Sequence, residues 1–138
     1  MTRSLRVLPA ALTLALACAF SAPAADKGPV DLRSMSRTMA FAAVYDMQVN
    51  PGTYVGRLVR MNGSFATFEV RPGEKKGTAC VIKDAAACCA AGLEFSLAEK
   101  PKKLPREDSA IAVEGVFTVE KEAGLEFAVL KNARFLPR

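Results

Sequence analysis

Two stretches of the sequence decide the fold: Val59-Arg60-Met61-Asn62-Gly63-Ser64-Phe65 and Ile111-Ala112-Val113-Glu114-Gly115-Val116-Phe117. Apolar residues alternate with other residues in both, which is the pattern of a β-strand that turns one face to a core. Both stretches follow one layout, aliphatic-x-apolar-x-Gly-x-Phe, with the glycine on the inward face. A strand without a side chain at such a position can bend sharply or let another backbone approach closely. The pattern indicates a mainly β fold with strongly bent strands, as a small barrel requires.

Three further segments have strand patterns, at residues 78–83, 93–97 and 125–130. Five strands in a domain of this size predict an OB-like barrel, which is a partly open barrel of five strands. An open antiparallel sheet packed on a helix is the alternative.

One helix is predicted in front of the strands, over residues 31–48. Asp31 is a suitable N-cap, and Leu32, Met35 and Met39 recur at helical spacing. The Asn50-Pro51-Gly52 segment then ends the helix. This helix is expected to cap the barrel.

Residues 1–24 have the features of an export signal. Arg3 and Arg6 give a positive start, residues 7–20 are almost wholly apolar, and Ala24 ends a small-x-small cleavage pattern. The apolar run is too short for a membrane span of about 20 residues. The sequence therefore predicts an exported protein of the periplasm or cell envelope, with a single domain over residues 25–138.

Cys18 offers a second route of processing. The Ala15-Leu16-Ala17-Cys18 segment resembles a lipoprotein box, although Ala15 stands where that box usually has a large aliphatic residue. Cleavage after Ala24 is the favoured interpretation. A membrane is an expected partner only if Cys18 is lipidated.

The chemistry of the chain is concentrated in residues 80–89, which contain three of the four cysteines. Cys80 is predicted on a strand and Cys88 and Cys89 just beyond the loop that follows, with Asp84 in that loop. Thiolates and a carboxylate are zinc ligands, so these four residues are the candidate metal site, and Cys80→Ser should abolish zinc binding. Since disulfides form in exported proteins, a disulfide that joins Cys80 to Cys88 or Cys89 is the other interpretation.

Several classes of function are excluded by what the sequence lacks. The chain has no histidine, so it cannot form a Ser-His-Asp or Cys-His catalytic arrangement within itself. It has no glycine-rich loop for phosphate. The 19 basic residues only modestly exceed the 14 acidic ones, and Arg3 and Arg6 lie in the predicted leader, so no nucleic-acid partner is expected. The protein is predicted not to be an enzyme.

A resemblance to a known family rests on five segments, which are Tyr45-Asp46-Met47, Asn50-Pro51, Tyr54-x-Gly56-Arg57-x-Val59, Met61-x-Gly63-x-Phe65 and Cys80-Val81-Ile82-x-Asp84-Ala85-x-Ala87-Cys88-Cys89-x-x-Gly92-Leu93-Glu94-Phe95. They resemble a family of small exported bacterial proteins, many of which are lipoproteins. The cysteine segment is also similar to the extracytoplasmic end of a permease subunit linked to zinc-responsive systems. The resemblance implies an OB-like fold, a link to envelope metal homeostasis and an envelope protein or permease as partner.

Two functions follow as hypotheses. The first is an exported, non-enzymatic binding module that takes zinc through its clustered cysteines. The alternative is a structural or interaction domain of the cell envelope that is clipped by a disulfide and binds no small ligand.

Overall fold

The fold is mainly β, as the alternating pattern predicts. The computed structural model describes residues 28–69, 72–73, 76–122 and 124–137. The elements in these ranges are, in chain order, β1 (Val30–Asp31), α1 (Arg37–Val49), a 3-10 turn (Pro51–Thr53), β2 (Leu58–Phe68), β3 (Gly77–Lys83), β4 (Ala90–Leu97), β5 (Ala110–Glu122) and β6 (Leu125–Phe135). No helix among the described residues is long and apolar enough to cross a membrane. The predicted leader, with Cys18 and Ala24, lies outside the described residues.

The six strands form one sheet in which the pairings return to their starting strand. β2, β3 and β4 pair in antiparallel succession, and β5 and β6 form an antiparallel hairpin. β4 pairs with β6 in parallel, and β5 pairs with β2 in antiparallel fashion, so these five strands make a closed ring of pairings. β1 adds a short parallel pairing to the first part of β2. All five strands expected from the sequence are present, mostly longer than predicted, and β1 is an additional one.

The two inward glycines are sites of close approach between strands. A Cβ atom on Gly63 would lie 2.6 Å from the Val81 carbonyl oxygen and 2.7 Å from the Cys80 sulfur. A Cβ atom on Gly115 would lie 2.9 Å from Cβ of Leu130. These distances are too short for any side chain, so the expected role of both glycines is confirmed.

The helix differs from its prediction in position. It begins at Arg37, and its N-cap is Ser36, whose hydroxyl accepts a hydrogen bond from the Met39 backbone N–H. Asp31, the predicted N-cap, belongs instead to β1 and forms an ion pair with Arg33. The expectation of a helix that precedes every strand is therefore wrong, because the chain first adds a strand to the edge of β2.

The buried face of α1 also differs from the predicted one. Met39 is 60% exposed and Met35, which precedes the helix, is 37% exposed. The residues that α1 buries are Ala40, Val44 and Met47. These side chains complete a core whose centre contains Phe65, Phe95 and Phe117, and α1 packs mainly against β4 and β3.

Candidate metal centre

Cys80 is a core residue rather than a member of a cysteine cluster. It lies in the middle of β3, pairs with Leu93 of β4 and is fully buried, with its sulfur beside Gly63. Burial raises the pKa of its thiol to about 12, so Cys80 stays protonated at neutral pH. Three residue steps along the strand, or roughly 10 Å, separate it from Lys83 at the end of β3.

The described part of the chain therefore does not contain the predicted four-ligand set. Cys80, Cys88 and Cys89 are all free thiols, and Cys80 is joined to neither of the others. Cys80 is left out because it shares the inward face of β3 with Ile82, which is also buried. That parity was available from the sequence, since residues two apart in a strand lie on the same face.

The loop between β3 and β4, residues 84–89, brings the other three predicted ligands together. The last pair of the hairpin is Lys83 with Ala90, and the Asp84 N–H donates to the Cys89 carbonyl at 2.9 Å. The Ala87 N–H donates to the Asp84 carbonyl at 3.1 Å, and Ala87 adopts a left-handed backbone with φ of 56°. These contacts give the loop one defined conformation at an exposed end of the sheet.

The Asp84 carboxylate organises both cysteines. Its Oδ1 accepts hydrogen bonds from the backbone N–H of Cys88, at 2.9 Å, and of Cys89, at 3.3 Å. Its Oδ2 accepts the S–H of Cys88 at 3.1 Å. The hydrogen bond from the Cys88 thiol, helped by the backbone donors, holds the pKa of Asp84 below its usual range. The same bond raises the pKa of Cys88, because its thiol proton is held by a carboxylate.

The two sulfur atoms lie on the same side of the loop. Adjacent side chains of an extended strand point in opposite directions, but the turn at Cys88 and Cys89 places their sulfurs 3.7 Å apart. Two thiolates that bind one tetrahedral zinc ion at about 2.3 Å are about 3.8 Å apart, so little rearrangement is needed. One ligand atom from each of Asp84, Cys88 and Cys89 lies within 4.8 Å of the others.

This arrangement offers two soft sulfur ligands and one oxygen ligand to a single ion. Thiolate ligands favour Zn²⁺ or Cu⁺ over Mg²⁺ or Ca²⁺. A metal ion would displace the proton of Cys88 and free Oδ2 of Asp84 to bind, so binding should release protons. Both cysteines are exposed, which leaves room for a fourth ligand from water or a partner protein.

One contact between the helix and the sheet was missed in the sequence. Gln48, near the end of α1, donates from Nε2 to the carbonyl oxygen of Gly92 at 2.8 Å. This bond ties the helix to β4 two residues beyond the first residue of that strand. No motif in the sequence indicates it, because the pairing depends on how α1 lies on the sheet.

Comparisons of the chain with protein-family models, curated proteins and solved structures found no match. The resemblance carried by the cysteine segment thus stays a prediction from the sequence.

Proposed function

We propose that this protein is an exported, non-enzymatic module that binds one zinc ion through Asp84, Cys88 and Cys89. The observation that carries the proposal is the convergence of one carboxylate oxygen and two sulfurs, all within 4.8 Å, in one exposed loop. The 3.7 Å between the sulfurs is close to the separation that a tetrahedral zinc ion imposes.

The loop supports this proposal because it is organised before any ion arrives. Asp84 holds the backbone N–H groups of Cys88 and Cys89 through Oδ1 and leaves Oδ2 to the thiol proton of Cys88. Replacement of that proton by zinc keeps the Oδ1 contacts intact. The entropic cost of ordering the ligands is then low, since the protein has already fixed them.

The fold that carries the loop is, in this proposal, an OB-like barrel. The ring of pairings among β2, β3, β4, β6 and β5 supports it, because a barrel of this class has five strands. The β3–β4 hairpin is paired on both sides in this ring, with β2 and with β6. The metal-binding loop would thus extend from the rigid part of the molecule.

The place of the module in the cell is proposed from the sequence and from the openness of the site. Three protein ligands leave one position free, and the chain contains no histidine to fill it. An envelope protein or permease that supplies the fourth ligand could receive the ion from the exposed loop. The export signal predicted in residues 1–24 fits a role in envelope metal homeostasis.

The proposal is tested by zinc competition against a chromophoric chelator, with reduced protein after export in a bacterial host. We expect about one zinc per chain, and at least tenfold weaker binding in Cys88→Ser, Cys89→Ser and Asp84→Asn, because each loses a ligand. Cys80→Ala is the matched control and should keep its zinc, in contrast to the loss on Cys80→Ser expected from the sequence alone.

Two results would contradict the proposal. One is the absence of zinc binding by reduced, folded wild-type protein, which would favour a structural domain without a small ligand. The other is loss of zinc in a folded Cys80→Ala variant, which would indicate that Cys80 is a zinc ligand after all.

A further inference from the structure

A groove lies on another part of the molecule, between the end of α1, the outer faces of β3 and β4, and the tip of the β5–β6 hairpin. Its volume is ≈ 880 Å³, within the range of sites that take drug-sized ligands. Ala79 of β3 and Gly92 of β4 line it with little side-chain bulk. None of its described lining residues belongs to the proposed metal centre.

Most of the lining is apolar. Val49 of α1 and Leu125 of the hairpin are 58% and 70% exposed, and both line the groove. Phe68 and Phe127 add two aromatic side chains, each half-buried. An apolar surface of this kind favours a ligand with an apolar body, because its burial removes such side chains from water.

Every charged residue among the described lining residues is acidic. These residues are Glu94, Glu122 and Glu126, in a chain whose overall charge is +5. Glu126 forms an ion pair with Lys121, with 2.5 Å between Oε1 and Nζ. Lys131 forms an ion pair with Glu120, also with 2.5 Å between Nζ and Oε1. The charge that remains for a ligand in the groove is therefore that of Glu94 and Glu122.

The surroundings of Glu94 disfavour the ionised form of its carboxyl, and a bound cation would stabilise that form. Its partial burial raises the pKa of its carboxyl, and the negative charge of Glu120 raises it further. The positive charge of Lys131 opposes this shift, and Glu122 adds a smaller increase. Gln48 also lines the groove, and since its Nε2 donates to Gly92, its Oε1 remains an acceptor. A primary ammonium group, with three N–H donors on a compact charge, is a cation that carboxylate and amide oxygens bind well.

We propose that this groove binds an apolar primary amine, whose ammonium group lies against Glu94 and Glu122 and whose apolar body contacts Val49, Phe127 and Leu125. The site is separate from the proposed zinc centre and does not depend on it. An anionic ligand of the same shape would be repelled, and a neutral one would gain no attraction from the two carboxylates.

The test uses dansylcadaverine, a fluorescent primary amine with an apolar aromatic body, and its N-acetylated derivative as the matched neutral probe. Titration of the wild-type protein, followed by fluorescence anisotropy, should give saturable binding of the amine and at least tenfold weaker binding of the acetylated probe. Equal affinity for both probes, or no binding of the amine at millimolar concentration, would overturn the proposal.

Variants locate the site. Glu94→Gln should weaken binding of the amine at least fivefold, and Glu94→Gln with Glu122→Gln should weaken it further. Glu99→Gln, an exposed carboxylate outside the lining, is the control and should bind as the wild type does. Leu125→Ser also tests the apolar wall without disturbing the core, because Leu125 is 70% exposed. Wild-type affinity in both Glu94→Gln and Leu125→Ser would overturn the proposal.

The independence of the two sites is checked in the same assay. The double variant Cys88→Ser, Cys89→Ser should bind dansylcadaverine with unchanged affinity, whether or not it binds zinc. Loss of amine binding in that folded variant would contradict a separate site.

Discussion

At the scale of single residues, the three described cysteines show how much burial changes the same side chain. Cys80 lies in the core, and burial raises the pKa of its thiol to about 12. Cys88 and Cys89 are exposed, and the pKa of Cys88 is raised chiefly by its hydrogen bond to Asp84. A metal ion can displace a proton held by a carboxylate at the surface much more easily than one held in an apolar core.

Glu114 is a buried carboxylate whose charge contributes to the stability of the fold. It is only 5% exposed, and its carboxylate accepts hydrogen bonds from Arg60 and, at 2.7 Å, from Nε of Arg134. These bonds hold the pKa of Glu114 below its usual 4.5, and the bond from Arg60 has the largest effect. Because the folded state has the lower pKa, the ionised carboxylate stabilises the fold at neutral pH, and this stabilisation is lost as the pH falls below about 4.5.

We therefore expect Glu114→Gln to lower the free energy of unfolding by about 1.5–3 kcal/mol at pH 7, the range for hydrogen bonds to charged groups. Chemical denaturation at several pH values should show this difference from wild type shrinking below about pH 4.5. Glu126→Gln, from an exposed ion pair with Lys121, is the control and should change stability by less than about 1 kcal/mol. A difference that stays constant down to pH 3 would refute this account.

At the scale of elements, the close contact between β2 and β3 depends on Gly63. A methyl group there would lie 2.6 Å from the Val81 carbonyl oxygen, and β3 cannot withdraw without breaking its ladder with β2. We expect Gly63→Ala to destabilise the protein by about 1–3 kcal/mol, the usual cost of overpacking. Gly52→Ala is the control, because nothing lies within 4 Å of its added Cβ atom, and it should be nearly neutral. Equal melting temperatures for the two variants would contradict the close approach.

The elements also show what the sequence could and could not predict. The long strands were predicted because their apolar alternation runs over seven residues at Gly63 and again at Gly115, and the inward glycines were identified by their parity. The predicted start of the helix was wrong because Asp31 and Ser36 are both good N-caps. Only the pairing of Val30 with Val59 decides between them. A strand of two residues, such as β1, has no period to detect.

At the scale of the whole molecule, the pairing of β4 with β6 closes the ring, and β4 contributes to both proposed sites. β4 begins at the cysteine loop and continues into the groove, where Gly92 and Glu94 lie. The candidate metal ligands Asp84, Cys88 and Cys89 were predicted because they are close in sequence. The groove was not predicted from the sequence, because it is formed by α1, β4 and a hairpin that only the folded chain brings together.

The most direct test of the proposed function is X-ray absorption at the zinc K-edge of the reduced, zinc-loaded protein. The proposal predicts two sulfur ligands at about 2.3 Å and oxygen ligands at about 2.0–2.2 Å, since Cys88, Cys89 and Asp84 would supply the first three positions. The spectrum of Cys80→Ala should be the same as that of the wild type. Three sulfur ligands in the wild type, falling to two in Cys80→Ala, would contradict the account, as would a zinc ion without sulfur ligands.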